Sequence, residues 1–313
     1  MDIKTKATAA AMVMALASQP VAAQEATPKD HSVAVALIDV GANSLTSKDP
    51  NVSFVDLTPN LKDGLHHASG RVGSKDHGDV VAQAFVDEYR KIDPDAKITF
   101  YTVNPFIQKG MFDGMMFSRS MLNKALPKMQ EANVKVAITT FGVSDEKAGN
   151  TILSDIEKAG MIVFAATPNE KGDDGIWPAA SASTIAVADG TTRDSGFKKS
   201  AAWSNWVDVV ADGYFHDKTI TVSGSSFATP RAAAYGVYYA SKNPECDVTA
   251  MKSALRESAE PVKLHGRQFP EMGSGNMVDN IKVVAERDAA PRETKKVALA
   301  QQMQMQHEAA LSR

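Results

Sequence analysis

Gly224-Ser225-Ser226-Phe227-Ala228-Thr229-Pro230 runs directly into Arg231-Ala232-Ala233-Ala234-Tyr235-Gly236-Val237-Tyr238-Tyr239-Ala240. The stretch reads as a glycine turn, two hydroxyls and a helix start. Thr229 and Pro230 fall in the first turn, where a missing N–H leaves no hydrogen bond unmade. The small residues that follow predict a helix buried on most sides, because alanine and glycine let neighbouring elements come close. A serine in this place has two readings. It caps the helix, as most serines at helix starts do. Alternatively it displays an exposed hydroxyl beside backbone N–H groups aimed at incoming negative charge, as a nucleophile with its own oxyanion donor requires. The choice depends on what else the chain brings to the same place.

Outward from that stretch, apolar runs alternate with amphipathic ones. Residues 33–38 form a buried-strand pattern stopped by Asp39-Val40-Gly41. Residues 42–76 read as irregular and polar, and the adjacent pair His66-His67 lacks the spacing to converge on one metal ion. From His77-Gly78-Asp79 the apolar residues Val80, Val81, Ala84, Phe85 and Tyr89 recur at helical spacing, ending by Asp93-Pro94. A β-rich run over 97–103, an amphipathic helix over 115–132 interrupted at Pro127, and a strand over 134–140 come next. A helix over 150–159, a strand over 161–166 and short strands over 184–188 and 206–210 complete the pattern. Such alternation predicts an α/β fold: a doubly wound, mostly parallel sheet with helices on both faces. Ligands of such sheets bind beyond the carboxyl ends of the strands. Asp39 and Asn169 follow strands, while His77 and Ser226 open helices, so the pattern puts four distant polar residues on one sheet edge.

The bulk numbers set limits. The 313 residues are 43% hydrophobic and 23% charged, ordinary for a soluble globular protein. A net charge of -3, without a basic stripe, excludes a nucleic-acid binder of the usual kind. Residues 1–23 read as a signal peptide: Lys4 and Lys6, an apolar small-residue run, then Val21-Ala22-Ala23 as a small-x-small cleavage site. No later apolar stretch approaches the length of a membrane span. The single cysteine, Cys246, has no intrachain partner for a disulfide. These features predict an exported bacterial protein, periplasmic or secreted, with residues 24–285 as the folded domain. Residues 286–313 read as a polar tail, partly helical or disordered, with room for a protein partner.

Six blocks, taken together, resemble the subtilases, the subtilisin-like serine peptidases, over residues 31–285. Val-Ala-Leu-Ile-Asp39-Val-Gly is similar to the family's aspartate block and His77-Gly-Asp-Val-Val-Ala82 to its histidine block. Phe-Ala-Ala-Thr-Pro-Asn169-Glu-Lys-Gly is similar to the oxyanion-asparagine block, and Ser223-Gly-Ser-Ser226-Phe-Ala-Thr-Pro to the serine block. Trp177-Pro178-Ala179 through Val187 and Trp203-Ser204-Asn205 through Ala211 agree in order and placement. The resemblance implies a serine endopeptidase in which Ser226 is the nucleophile, His77 the general base and Asp39 its orienting carboxylate. Asn169 and the Ser226 N–H would then bind the oxyanion. Thr140, Phe141 and Gly142 on one side and Ala166, Thr167 and Pro168 on the other would line the groove for a polypeptide substrate.

The departures from the family pattern carry expectations too. Val40 stands where a hydroxyl residue usually supports the aspartate, and Asp79 where threonine is usual. A carboxylate there, in the first turn of the histidine's helix, is expected to favour the imidazolium. Arg231 replaces the usual histidine after the serine block, and Pro168 stiffens one groove wall. Residues 82–97 lack the loop by which many relatives bind calcium, so no metal or other cofactor is expected. Residues 24–31 are too few for the family's folding-assistant propeptide. The chain is therefore expected to be a minimal peptidase or, as the alternative, a degenerate relative that binds peptides or a periplasmic partner without cutting.

Overall fold

A computed structural model describes residues 31–43, 45–62, 64–109, 114–169, 175–190, 205–264, 267–273 and 275–311. The expected signal peptide, the Glu170-Lys171-Gly172 end of the asparagine block and Trp203-Ser204 lie outside them. The strands, in chain order, begin with β1 (Ser32–Ile38), β2 (Val52–Asp56), β3 (His66–His67), β4 (Arg71–Val72) and β5 (Lys75–Asp76). They continue with β6 (Lys97–Val103), β7 (Phe106–Gln108), β8 (Met116–Phe117), β9 (Val136–Thr139), β10 (Ile162–Ala166) and β11 (Thr184–Asp189). Last come β12 (Val209–Ala211), β13 (Tyr214–His216), β14 (Thr221–Ser223), β15 (Glu260–Leu264) and β16 (Arg267–Met272). The helices are α1 (His77–Ile92), α2 (Arg119–Glu131), α3 (Glu146–Lys158), α4 (Ser225–Lys242), α5 (Val248–Ser258) and α6 (Met277–Leu311).

Among the described residues, nine strands form one sheet in the order β15-β16-β12-β11-β10-β9-β1-β6-β2. All neighbours are parallel except the β15–β16 hairpin at one edge. The chain passes from β1 to β2 and β6 on one side, then crosses over to β9 and proceeds through β10 to β12 on the other. Strand order therefore reverses at β1, and in open α/β sheets the crevice beyond such a switch point is where ligands bind. Asp39 stands immediately past the carboxyl end of β1.

Alternation along the strands builds two apolar layers. Val35, Leu37, Ile98, Phe100, Ile138, Phe164 and Val187 face α1, α4, α5 and the start of α6. Ala36, Ile38, Val103, Ala137, Val163 and Ala165 face α2 and α3. The central helix is α4, whose run from Ala232 to Ala240 is buried throughout, as its small residues predict. A Cβ on Gly236 would lie 2.3 Å from the Phe164 ring, so the missing side chain is what lets α4 rest on β10.

Several elements differ from the sequence reading. Residues 42–76 are not wholly irregular: β2 pairs in parallel with β6 at the sheet edge. Only Val52 of its five residues is buried, so the strand carries little apolar pattern. The helix expected from 115 begins at Arg119, because Met116 and Phe117 pair with β7 instead. Pro127 is accommodated within α2. The β13–β14 hairpin, α5 and the β15–β16 hairpin went unread. Across the expected boundary at 286, α6 continues without a break. Its Met277, Ile281, Val284 and Ala285 are buried, whereas Val297, Leu299, Met303 and Met305 are exposed. Among the described residues no helix is long and apolar enough to cross a membrane.

Candidate active site

The first half of the site is built where β1 ends and α1 begins. Gly41, with φ of 68°, turns the chain after Asp39, and a Cβ there would meet the Ser69 carbonyl at 2.4 Å. Gly78 presses against that turn: a Cβ on it would stand 2.8 Å from both Ala42 Cα and the Gly41 carbonyl oxygen. This backbone-to-backbone approach sets His77, the first residue of α1, against Asp39. His77 Nδ1 and Asp39 Oδ2 are 2.8 Å apart. The carboxylate is wholly buried, and the imidazole keeps 15% of its side-chain surface exposed. Asp39 Oδ1 accepts the Val40 N–H at 2.7 Å, so a backbone donor supports the carboxylate although Val40 has no hydroxyl.

Burial pushes the His77 imidazole down, but the charge of Asp39 and its hydrogen bond outweigh burial and raise its pKa above the ordinary value. The carboxylate that raises His77 is Asp39. Asp79 is itself raised, by burial and by the neighbouring charge of Asp76, with Lys75 opposing.

The second half lies at the mouth of α4. Ser225, 1% exposed, donates its N–H to Asn169 Oδ1 at 2.8 Å. Its hydroxyl lies 2.5 Å from the Thr167 carbonyl oxygen and 3.0 Å from the same Asn169 Oδ1, sharing one proton between them. Asn169 also packs on Gly224, where a Cβ would sit 3.0 Å from Oδ1 and 3.2 Å from Nδ2. The next residue, Ser226, is half-buried, and its hydroxyl donates to the Thr140 carbonyl oxygen at a long 3.5 Å. Phe227 carries the structure back to His77, their ring centroids 5.5 Å apart.

Each site residue expected from the sequence therefore falls at the carboxyl edge of the sheet, around β1, β9, β10 and the mouth of α4. Asp39 bonds His77, Ser225 ties Asn169 and Thr167 to α4, and Ser226 reaches Thr140. Ser226 and His77 are not hydrogen-bonded to each other. On the walls, Phe141 packs edge-on to Phe106 at 5.1 Å and beside Phe117 at 5.2 Å. Ile176 fills the space at Gly142, its Cδ1 and Cγ1 each 2.3 Å from where a Cβ would be. Val143 pairs with Trp177 in an antiparallel bridge. Ala166 and Thr167 are buried, and Pro168 is half-buried.

Sequence reasoning assigned no role to three contributors. Ser225, one of the two hydroxyls at the helix start, orients Asn169. Ile176 carries no motif signal. Arg231 donates to the Asp212 and Tyr214 carbonyls at 2.8 and 2.9 Å, tying α4 to the β13–β14 hairpin.

Comparison with known proteins agrees with this architecture. The model of the subtilase family matches residues 30–293. A cuticle-degrading serine protease of Arthrobotrys oligospora is 31% identical over 162 residues, 48% of this chain and 36% of that protein's length. The match thus spans about a third of that relative. Among solved structures, a cold adapted subtilisin-like serine proteinase superposes with a TM-score of 0.58 at 18% identity, over 77% of this chain and 89% of that one. The prenylagaramide maturation protease PagA gives 0.54 at 19% identity, over 80% of this chain and 93% of the other. These two share the fold. With the family model covering most of its length, the chain belongs to the subtilase family.

Proposed function

We propose that this protein is a serine endopeptidase that cleaves polypeptide backbones through Asp39, His77 and Ser226. The observation that carries the reading is the 2.8 Å bond between the fully buried Asp39 and Nδ1 of His77, at the switch point of the sheet, with the His77 ring packed against Phe227, the residue after Ser226. His77 accepts the Ser226 hydroxyl proton as Oγ attacks the substrate carbonyl carbon. Asp39 holds the imidazole in one tautomer and stabilises the cation that forms. The tetrahedral oxyanion is met by the Ser226 N–H and by Asn169 Nδ2, whose partner atom Oδ1 is already engaged by Ser225. His77 then returns its proton to the leaving amine, and water, activated by the same imidazole, hydrolyses the acyl-enzyme.

A second reading has one observation in its favour. Ser226 bonds the Thr140 carbonyl and not His77, as expected of a degenerate relative that holds peptides without cutting them. Covalent labelling by a fluorophosphonate separates the two, since only an activated serine reacts. The peptidase reading expects one labelled site, at Ser226, and no labelling or proteolysis in Ser226→Ala. A folded wild-type protein that takes no label would sink it.

A further inference from the structure

Asp189 is a buried acid with no part in the mechanism above. It is the last residue of β11 and 6% exposed. Its Oδ1 accepts the Gly213 N–H at 3.0 Å and its Oδ2 the Ser223 hydroxyl at 2.7 Å. Those two partners belong to different elements: Gly213 lies in the turn between β12 and β13, and Ser223 ends β14. A third bond closes the arrangement, from Gly224 N–H to the Gly213 carbonyl at 3.2 Å. A Cβ on Gly213 would lie 2.4 Å from the Gly224 carbonyl oxygen and 2.5 Å from Asp189 Cγ, so the three segments are in direct contact.

The next residues along the chain are Ser225, bonded to Asn169, and Ser226. The turn that carries them is gripped on one side by Asn169 and on the other by Asp189. A buried side chain that accepts donors from two separate segments is a directional tie between them. Buried acids are costly when unpaired, so this one holds its partners in place. We propose that Asp189 is a positioning residue that fixes the Ser223–Gly224 turn and thereby the placement of Ser226 relative to Asn169. The consequence for catalysis rests on the peptidase reading; the consequence for the turn does not.

Two measurements on the full chain test it, so that each idea can fail separately. The first is hydrogen exchange over residues 222–227 in Asp189→Ala, Asp189→Asn and Ser223→Ala. Asp189→Ala is expected to exchange there at least about tenfold faster, while segments covering β1 and α1 stay at wild-type rates. Asp189→Asn keeps an acceptor for Gly213 and a polar partner for Ser223, and should remain within a few-fold of wild type. Ser223→Ala, which leaves the bond from the Gly213 N–H to the buried acid intact, should fall between. The second is the rate of fluorophosphonate labelling of Ser226, expected to fall by roughly 10²-fold in Asp189→Ala and to recover in Asp189→Asn, the size of effect a 1 Å misplacement produces. Wild-type exchange over 222–227 in folded Asp189→Ala or Ser223→Ala would overturn the proposal. So would an Asp189→Asn that exchanges as fast as Asp189→Ala, because charge and not placement would then be at work. If the wild type takes no label, the peptidase reading falls and exchange alone decides the role of Asp189.

Discussion

The N–H and the hydroxyl of Ser225 converge on a single atom, Oδ1 of Asn169, at 2.8 and 3.0 Å. An amide held by its oxygen has its NH₂ group turned the other way, free to donate. The residue before Ser226 thus orients the side chain proposed to bind the oxyanion. Asn169→Ala should lower kcat by roughly 10²–10³ with little change in KM, because the lost donor acts on charge present only in the transition state. Steady-state kinetics on a peptide substrate checks this. A change confined to KM would make Asn169 a groove residue only.

The Asp39–His77 pair has a definite pH signature. The folded pKa of His77 lies above its ordinary 6.5, because Asp39 outweighs burial. In Asp39→Ala burial acts alone, and the imidazole should titrate below 6.5, as NMR titration of its ring protons will read. For stability the sign follows from the raised value. The contribution is fully present below the unfolded pKa and is lost as pH rises through the folded one. The gap in melting temperature between wild type and Asp39→Ala should therefore narrow as pH rises from below 6.5. A gap that widens would contradict the shift.

Ile176 and Gly142 occupy one space, with Ile176 carbons standing where a Gly142 side chain would be. Ile176 thus crowds the backbone at Gly142, and small side chains are expected on the acyl side of the cleaved bond. Ile176→Ala should raise kcat/KM for substrates with a large residue there by about 10–200-fold, the range for one or a few methylenes in an apolar pocket. An unchanged preference would place the specificity wall elsewhere. Gly142→Ala must push Ile176 aside and should lower kcat/KM for every substrate.

We expect the protein to be insensitive to chelators. The expectation rests on the sequence, whose residues 82–97 lack the calcium loop of many relatives. Thermal melting with and without excess chelator should coincide, and a fall of several degrees would reveal a cation site.

Four blocks of the candidate site were legible in the sequence because their signals are local. An apolar run stopped by Asp39 and a glycine turn, helical spacing opening at His77, an apolar run ending at Asn169, and a glycine turn before a small-residue helix each depend on neighbours within a few residues. Strand and helix alternation then implied a parallel sheet, hence one shared edge. The misses have a common cause. Val52–Asp56 sits at a sheet edge with one buried residue, so no periodicity marks it. The residues at 116–117 join β7 because the phenylalanine cluster of Phe106, Phe117 and Phe141 gathers there, a contact between segments far apart in the chain.

The elements and the residues at their ends could thus be read from the chain alone, since backbone geometry and hydrophobic period are short-range properties. The tertiary structure alone decided which groups meet. That the Ser225 hydroxyl turns inward to Asn169 and Thr167, that Ser226 faces the Thr140 carbonyl, that Ile176 occupies the space at Gly142 and that Asp189 is buried under the serine turn all depend on register and packing between distant segments. Nothing in an acid at the end of an apolar run says whether it ends in water or beneath a turn. Asp39 and Asp189 close similar strands; the fold sets one against an imidazole and the other against a hydroxyl and a backbone N–H.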